Sequence, residues 1–184
     1  YGQELPAFEV STSELFYGDM LADPDVFPNG FVFQVGEDPG CTQCPAGTYP
    51  IKVSSADIPK NYSVIFEDTG SLTIDRAALT ITSASVEAVY GDALPVFTGT
   101  VSGLQNQDLQ TDVLPDLAFS VPCTQCPAGT YPVSGSASEP LNYTLNFVNS
   151  GEYVVGKAQL TITSRSATGV YGDAQPVFTG DIEG

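Results

Sequence analysis

Short runs in which apolar and polar residues alternate recur along the chain and predict β-strands. A period of two places apolar side chains on one face of a strand and polar side chains on the other. One stretch, within residues 103–116, instead spaces its apolar residues as a short helix would. The pattern predicts an all-β, mainly antiparallel fold with strands near residues 31–35, 47–53, 61–66, 71–74, 79–82, 117–121, 129–133, 142–147, 153–155 and 160–163.

Two motifs return along the chain and show that it is built from repeats. The ten residues CTQCPAGTYP occupy positions 41–50 and 123–132, a shift of 123 − 41 = 82 residues. A Tyr-Gly motif followed by a proline and a phenylalanine opens residues 1–8, 90–97 and 171–178. A period of this size corresponds to one small domain rather than to one turn of a solenoid.

The spacing of the motifs predicts small β modules, of β-sandwich or β-grasp-like form, joined end to end into a rod. The joints at residues 75–78 and 156–159 leave no Gly/Ser-rich linker that could act as a hinge. The predicted modules are residues 1–75, without a first strand, residues 76–156, complete, and residues 157–184, the start of a third.

The charge and composition of the chain exclude several classes of function. Five basic residues stand against 22 acidic ones, a net charge of −17, which repels nucleic acid and anionic membranes. The sequence lacks histidine, the commonest general base, and no pair of carboxylates stands out as catalytic. No apolar run is long enough to span a bilayer. We therefore expect neither an enzyme nor a segment that inserts into a membrane.

The two Cys-x-x-Cys motifs have three interpretations. A thioredoxin-like redox pair begins a helix, whereas here Pro-Ala-Gly-Thr-Tyr-Pro follows. A four-cysteine zinc site would require the two motifs, 82 residues apart, to meet. The favoured interpretation is a local disulfide in an exported protein, Cys41 with Cys44 and Cys123 with Cys126. Because each loop is so short, its closure makes a bend rigid more than it stabilises the module.

Acidic side chains are the remaining candidates for a cofactor site. Two groups lie in matching parts of the first two repeats, but neither follows the calcium-loop pattern that fixes ligand geometry. We expect a solvated acidic face and no cofactor, with calcium as the open alternative. The calcium candidates are Asp19, Asp23, Asp25, Asp108, Asp112 and Asp116.

The tyrosines at strand positions also allow two interpretations. Tyr49, Tyr62, Tyr131 and Tyr143 occupy matching places in the two repeats. A small β module needs its few aromatic residues in the core, so packing is the favoured role. The alternative is an exposed platform on which a sugar ring stacks.

Several motifs in a fixed order together resemble a known family of repeats. They are Ala-x-Leu-Thr-Ile-Thr, Tyr-Gly-Asp-x-x-Pro-x-Phe-Thr-Gly, Ala-Gly-Thr-Tyr-Pro, Asn-Tyr-x-x-x-Phe and Gly-x-Leu-Thr-Ile, and they resemble the YGX-type MBG repeats of large bacterial surface proteins and adhesins. The resemblance implies a secreted, mainly β module repeated many times at the bacterial cell surface. Some such adhesins are associated with gliding motility. The Cys-Thr-Gln-Cys insert departs from the general pattern.

Repetition, short joints and the absence of a convergent site favour a structural function. The first hypothesis is a stalk segment, or filament, of a giant secreted adhesin that extends a binding region from the cell. The alternative is an adhesion module that binds a glycan or mucin. The expected partners are neighbouring repeats of the same chain, and other surface proteins or glycans.

Overall fold

The computed structural model describes residues 1–11, 15–21, 26–37, 40–57 and 59–184. In these residues the elements are almost all short strands, with one 3-10 turn at Phe16–Gly18 and one helical turn, α1, at Gln110–Val113. The strands are β1 Val32–Val35, β2 Gly47–Ser54, β3 Gly70–Ile74, β4 Ala77–Ser83, β5 Val86–Val89, β6 Gly99–Ser102, β7 Ala118–Ser120, β8 Gly129–Pro132, β9 Ser134–Ser136, β10 Tyr143–Val148, β11 Glu152–Gly156, β12 Thr161–Ser164 and β13 Gly180–Glu183. The predicted all-β class and the single short helix are both confirmed.

The first repeat forms one antiparallel sheet in the order β1-β2-β3. The long central strand β2 pairs with both neighbours, so that Val35 lies opposite Ile51 and Tyr49 lies opposite Leu72. The second repeat has a similar arrangement, but its central strand is divided into two. Its counterpart of β2 is interrupted at Val133 into β8, which pairs with β11, and β9, which pairs with β7.

The second repeat adds two features to this pattern. Strand β5 pairs in parallel with β11, the only parallel pair whose register is known in the described residues. Strand β4 lies between β10 and β6 in a further three-stranded sheet. The face of β4 that carries Leu79, Ile81 and Ser83 is covered, and all three residues are buried.

The start of the third repeat shows the same strand without that cover. Strands β12 and β13 form a two-stranded antiparallel sheet that matches β4 and β6 in sequence. Leu160 and Ile162, the counterparts of Leu79 and Ile81, are 66% and 74% exposed. The pattern of alternation therefore forms a strand in both places, but it forms a core only where other strands pack on it.

Residues in mutual contact form two compact units. The first comprises Tyr1–Thr80, Val101–Pro115 and Ser138–Asn146, and the second comprises Ile81–Thr100, Asp116–Ala137 and Phe147–Gly184. The core of the second unit is a cluster of Cys126, Val133, Tyr153 and Val155, on which the rings of Phe97, Phe119 and Tyr131 pack. The predicted module bounds and the rod stay predictions.

One predicted strand is wrong. Residues 61–66 form no strand, although their counterparts in the second repeat form β10. The reason is pairing, because β10 lies against β4, whereas no strand of the described residues pairs with residues 61–66. Alternation alone does not make a strand stable without a neighbour. Within the described residues, no helix is long and apolar enough to cross a bilayer.

Leu79 and Leu160 offer a matched test of this dependence on neighbours. Leu79→Ala should lower the free energy of unfolding by about 2–5 kcal/mol, because the side chain is fully buried. Leu160→Ala should change it by less than about 0.5 kcal/mol, because the same residue type is exposed. Urea unfolding followed by circular dichroism measures both, and equal losses would contradict the assigned cores.

Candidate functional site

The two cysteine loops have the same geometry in both repeats. The sulfur atoms of each predicted pair lie at disulfide distance, with Cα atoms 5.3 Å apart in Cys41–Cys44 and in Cys123–Cys126. Cys44 and Cys126, the second cysteine of each pair, are buried. Each loop is therefore closed on itself and anchored in the interior by one sulfur.

A tyrosine ties each cysteine loop to the strand that follows it. The hydroxyl of Tyr49 donates a hydrogen bond to the carbonyl oxygen of Pro45 at 2.9 Å. Tyr131 makes the same bond to Pro127, also at 2.9 Å. These tyrosines are half-buried and brace the loop, so the structure gives them a packing and bracing role rather than that of a fully exposed platform.

A cleft of about 240 Å³ lies beside the cysteine loop in each repeat. In the second repeat the Tyr-Gly motif contributes Tyr90 and Asp92, and the cysteine loop contributes Thr124 and Gln125. In the first repeat the corresponding motifs contribute Tyr1, Glu4 and Gln43. The two clefts thus combine an aromatic ring, a carboxylate and an amide.

The most buried polar network of the first compact unit centres on Tyr143 in β10. Its side chain is 1% exposed, and its hydroxyl donates to a carboxylate oxygen of Asp108 at 2.6 Å. The same hydroxyl accepts a hydrogen bond from the backbone amide of Gln105 at 2.9 Å. Burial, followed by the hydrogen bond to Asp108, raises the pKa of Tyr143 to about 12.

Residues 103–108 form the aspartate loop, which Tyr143 holds in place. Asn106 and Gln107 have φ values of +53° and +62°, and the amide of Asp108 bonds to the carbonyl oxygen of Gln105 at 2.8 Å. The loop is therefore a tight turn that places Asp108 under the Tyr143 hydroxyl.

Tyr1 completes this network. Its hydroxyl donates to the same oxygen of Asp108 at 3.2 Å, and its ring packs edge-on against the ring of Tyr143 with centroids 5.5 Å apart. Its backbone nitrogen donates to the carbonyl oxygen of Asp75 at 2.7 Å. A residue of the first repeat is thus bound to a loop and a strand of the second.

The first repeat contains a copy of this pairing. The hydroxyl of Tyr62 donates to Asp19 at 2.8 Å, and the amide of Asp19 bonds to the carbonyl oxygen of Phe16 at 3.3 Å. Tyr17 and Gly18 have φ values of +60° and +81°, as the two middle residues of the aspartate loop do. The hydrogen bond to Asp19 raises the pKa of Tyr62.

The calcium candidates are placed as follows. Asp19 and Asp108 each hold a tyrosine hydroxyl, while Asp112 lies in the first turn of α1 and accepts a hydrogen bond from Thr111. Asp116 follows that helix in sequence, and Asp23 and Asp25 lie outside the described residues. In the described part of the chain no three acidic or cysteine side chains are close enough to share a metal ion. Calcium binding stays an open alternative to the predicted solvated acidic face.

Sequence reasoning missed the Tyr–Asp pairs, although a signal for them existed. Asp19 and Asp108 follow the tyrosine of their own Tyr-Gly motif by the same interval, 19 − 1 = 108 − 90 = 18 residues. An aspartate that returns at a fixed place in two repeats indicates a repeated contact rather than a general acidic face.

Comparison with known proteins identifies one segment. The family model of the MBG domain (YGX type) matches residues 79–151, which begin within β4, end just before β11 and contain the second Tyr-Gly motif and cysteine loop. This match confirms the resemblance to MBG repeats of the YGX type for this segment. No curated protein and no solved structure matches the chain.

The Tyr143 hydroxyl can be tested by removing it. Tyr143→Phe should lower the free energy of unfolding by about 1–3 kcal/mol, because it removes the shorter of the two hydroxyl donors to the half-buried Asp108 carboxylate and leaves the Gln105 amide without its acceptor. Tyr62→Phe is the matched control, with a smaller expected loss because Tyr62 is less buried.

The stability of the same variant should also depend less on alkaline pH than that of the unmodified chain. A pKa raised from 10.0 to about 12 means that the folded state holds the phenol proton more tightly than the unfolded state. The stability that it contributes is complete below pH 10 and is lost as the pH rises towards 12. Urea unfolding at several alkaline pH values should show a smaller decline in Tyr143→Phe, and an unchanged decline would contradict the network.

Proposed function

We propose that this chain, which carries an MBG domain of the YGX type, is a stalk segment of a secreted bacterial surface adhesin. Such domains are typical of repeat-containing surface proteins. In this role the chain lies outside the cell, extends a binding region from the cell surface and performs no catalysis. Its function is then mechanical, and its partners are its own neighbouring repeats.

The joint between the first and second repeats is the observation that carries this proposal. Strand β3 ends at Ile74 and β4 begins at Ala77, so only Asp75 and Arg76 connect them. Each residue around the joint has a fixed partner. The carbonyl oxygen of Asp75 accepts a hydrogen bond from the backbone nitrogen of Tyr1, Arg76 pairs with Glu139 at 3.4 Å, and the Ala77 amide bonds to the carbonyl oxygen of Asn142 at 2.9 Å.

A joint of this kind supports stiffness for a simple reason. Two residues with bonded neighbours have little freedom to change φ and ψ, whereas a flexible linker needs several unbonded residues. The exposed ion pair adds at most about 1 kcal/mol, so the backbone bonds and the short length carry the effect. The net charge of −17 also makes repeats repel one another and opposes collapse.

A flexible insertion at the joint tests the stalk. Gly-Ser-Gly-Ser inserted between Asp75 and Arg76 should broaden the distribution of dimensions measured by small-angle X-ray scattering, because it separates the bonded residues from one another. The control places the same four residues after Ala167, in the exposed segment between β12 and β13. Identical scattering from the joint insertion and the unmodified chain would contradict a stiff joint.

Glycan adhesion is a second candidate, and the clefts beside the two cysteine loops favour it. A tyrosine ring beside a carboxylate and an amide can stack on a sugar ring and bond its hydroxyl groups. Acidic walls would favour neutral or amino sugars over sialylated ones. This candidate differs from the stalk in needing direct ligand contact.

A glycan array with the full chain tests this candidate. Binding should be lost when Gln43→Ala and Gln125→Ala remove the amide from both clefts, because each glutamine lines its own cleft. Gln159→Ala, at an exposed position outside both clefts, is the control and should leave binding unchanged. Absence of binding to the array, or equal binding by the double variant, would contradict a glycan site there.

A further inference from the structure

The glycine of the Tyr-Gly motif has a positive φ in all three copies. Gly2, Gly91 and Gly172 have φ values of +82°, +100° and +93°, which favour glycine over any residue with a side chain. In the second and third copies the amide of the aspartate after the glycine bonds back to a valine carbonyl oxygen, at 3.0 Å and 3.1 Å. The turn is therefore a local property of the motif and needs no neighbour.

The surroundings of the three turns differ sharply. A Cβ atom on Gly2 would collide with the side chain of Gln105, whereas nothing lies within 4 Å of the equivalent position on Gly91 or Gly172. The tyrosines follow the same order. Tyr1 is half-buried, but Tyr90 is 56% exposed and Tyr171 is fully exposed. The first turn is covered and the other two are open.

The element that covers the first turn is the aspartate loop at residues 103–108, together with Tyr143. Gln105 packs on Gly2, Asp108 accepts the Tyr1 hydroxyl, and the Tyr143 ring packs against the Tyr1 ring. The contact thus depends on both residues of the Tyr-Gly motif. Tyrosine supplies a ring and a donor, and glycine supplies the space for a side chain.

The first repeat presents a second aspartate loop that no Tyr-Gly turn covers in the described residues. Asp19 and Tyr62 form its pair at 2.8 Å, as Asp108 and Tyr143 do. Beside them Phe16 is 77% exposed and Tyr17 fully exposed. The described chain therefore holds three turns and two loops, of which one turn and one loop are in contact.

We propose that the Tyr-Gly turn is a socket for the aspartate loop of another repeat, and that the open turn at Tyr90 and Gly91 takes such a loop. The occupant is a segment with the chemistry of residues 103–108 and Tyr143. It supplies a side chain that fills the space over the glycine, a carboxylate that accepts the tyrosine hydroxyl, and an aromatic ring that packs edge-on against the tyrosine ring. This inference rests on the proposed stalk, because it supplies the contact that orders one repeat on the next.

Sequence identity between the motifs supports this occupant. Tyr90 opens the same Tyr-Gly-x-x-x-Pro sequence as Tyr1. Its backbone nitrogen bonds to the end of β11, as the backbone nitrogen of Tyr1 bonds just beyond β3. Exposed apolar side chains continue around the open turn at Val89, Leu94 and Val96. An exposed apolar patch with an unused aromatic donor is typical of an unfilled protein contact.

The existing contact can be measured first in the full chain. Tetranitromethane nitrates accessible tyrosines, and mass spectrometry of the peptides gives a rate for each. Tyr1 and Tyr143 should react several-fold more slowly than Tyr90 and Tyr171. Asp108→Ala should bring Tyr1 close to the rate of Tyr90, while Asp112→Ala, outside the contact, should not. Equal rates for Tyr1 and Tyr90 in the unmodified chain would overturn the proposal.

A chain extended by its own sequence tests the open socket. Gly184 stands where Gly103 does, so residues 104–156 appended after Gly184 supply a third aspartate loop and its tyrosine. Nitration of Tyr90 should then slow several-fold while Tyr171 stays reactive. Alanine at the appended copy of Asp108 should restore part of the rate. An unchanged Tyr90 rate in an extended chain that circular dichroism shows to be folded would overturn the proposal.

The outcome separates this inference from the stalk itself. Small-angle scattering of the extended chain reports whether the repeats stay in line, independently of Tyr90. If scattering shows the repeats in line while Tyr90 is still nitrated rapidly, the stalk proposal stands and the socket proposal is contradicted. If the repeats do not stay in line, both proposals are contradicted. Protection of Tyr90 by an added glycan, but not by the added repeat, would assign the open turn to adhesion instead.

Discussion

A buried phenol hydroxyl must keep its hydrogen bonds. In the first compact unit, the hydrogen bonds of the Tyr143 hydroxyl determine the conformation of residues 103–108 and the contact with Tyr1 and Gly2. Strand β10 places this side chain at 1% exposure, where an unbonded hydroxyl would cost about 1–3 kcal/mol. Asp108 and the amide of Gln105 supply the bonds, and they can do so only if residues 103–108 form a tight turn. Residues 103–108 then provide the surface on which Tyr1 and Gly2 lie.

The repeats are ordered more by local interactions than by a large hydrophobic core. Only Tyr143, Leu79, Ile81 and Val133 are almost completely buried among the large side chains of the described residues. A closed cysteine loop, a tyrosine bond to that loop and a glycine turn each fix a short segment independently of distant packing. The remaining stability depends on neighbours, as the contrast between buried Leu79 and exposed Leu160 shows.

Sequence pattern predicted the elements well where the interaction is local and poorly where it is tertiary. Alternation located the strands around Tyr49 and Tyr131, and the Cys-x-x-Cys spacing located both closed loops. It failed at residues 61–66, because a strand needs a partner that the local pattern does not report. It also missed the Asp108–Tyr143 pair, whose members are 35 residues apart and meet only through the fold.

The turn and the aspartate loop are different surfaces of a repeat, and this asymmetry has a consequence for assembly. A contact between unlike surfaces is heterologous, so each repeat that uses its turn still has a loop to offer. Such a contact need not close into a dimer and can extend from repeat to repeat. Covalent connection through a joint as short as Asp75 and Arg76 keeps the two surfaces at high effective concentration. In the proposed socket, one hydroxyl, one ring edge and one glycine would therefore order neighbouring repeats, although the same contact between separate chains would be weak.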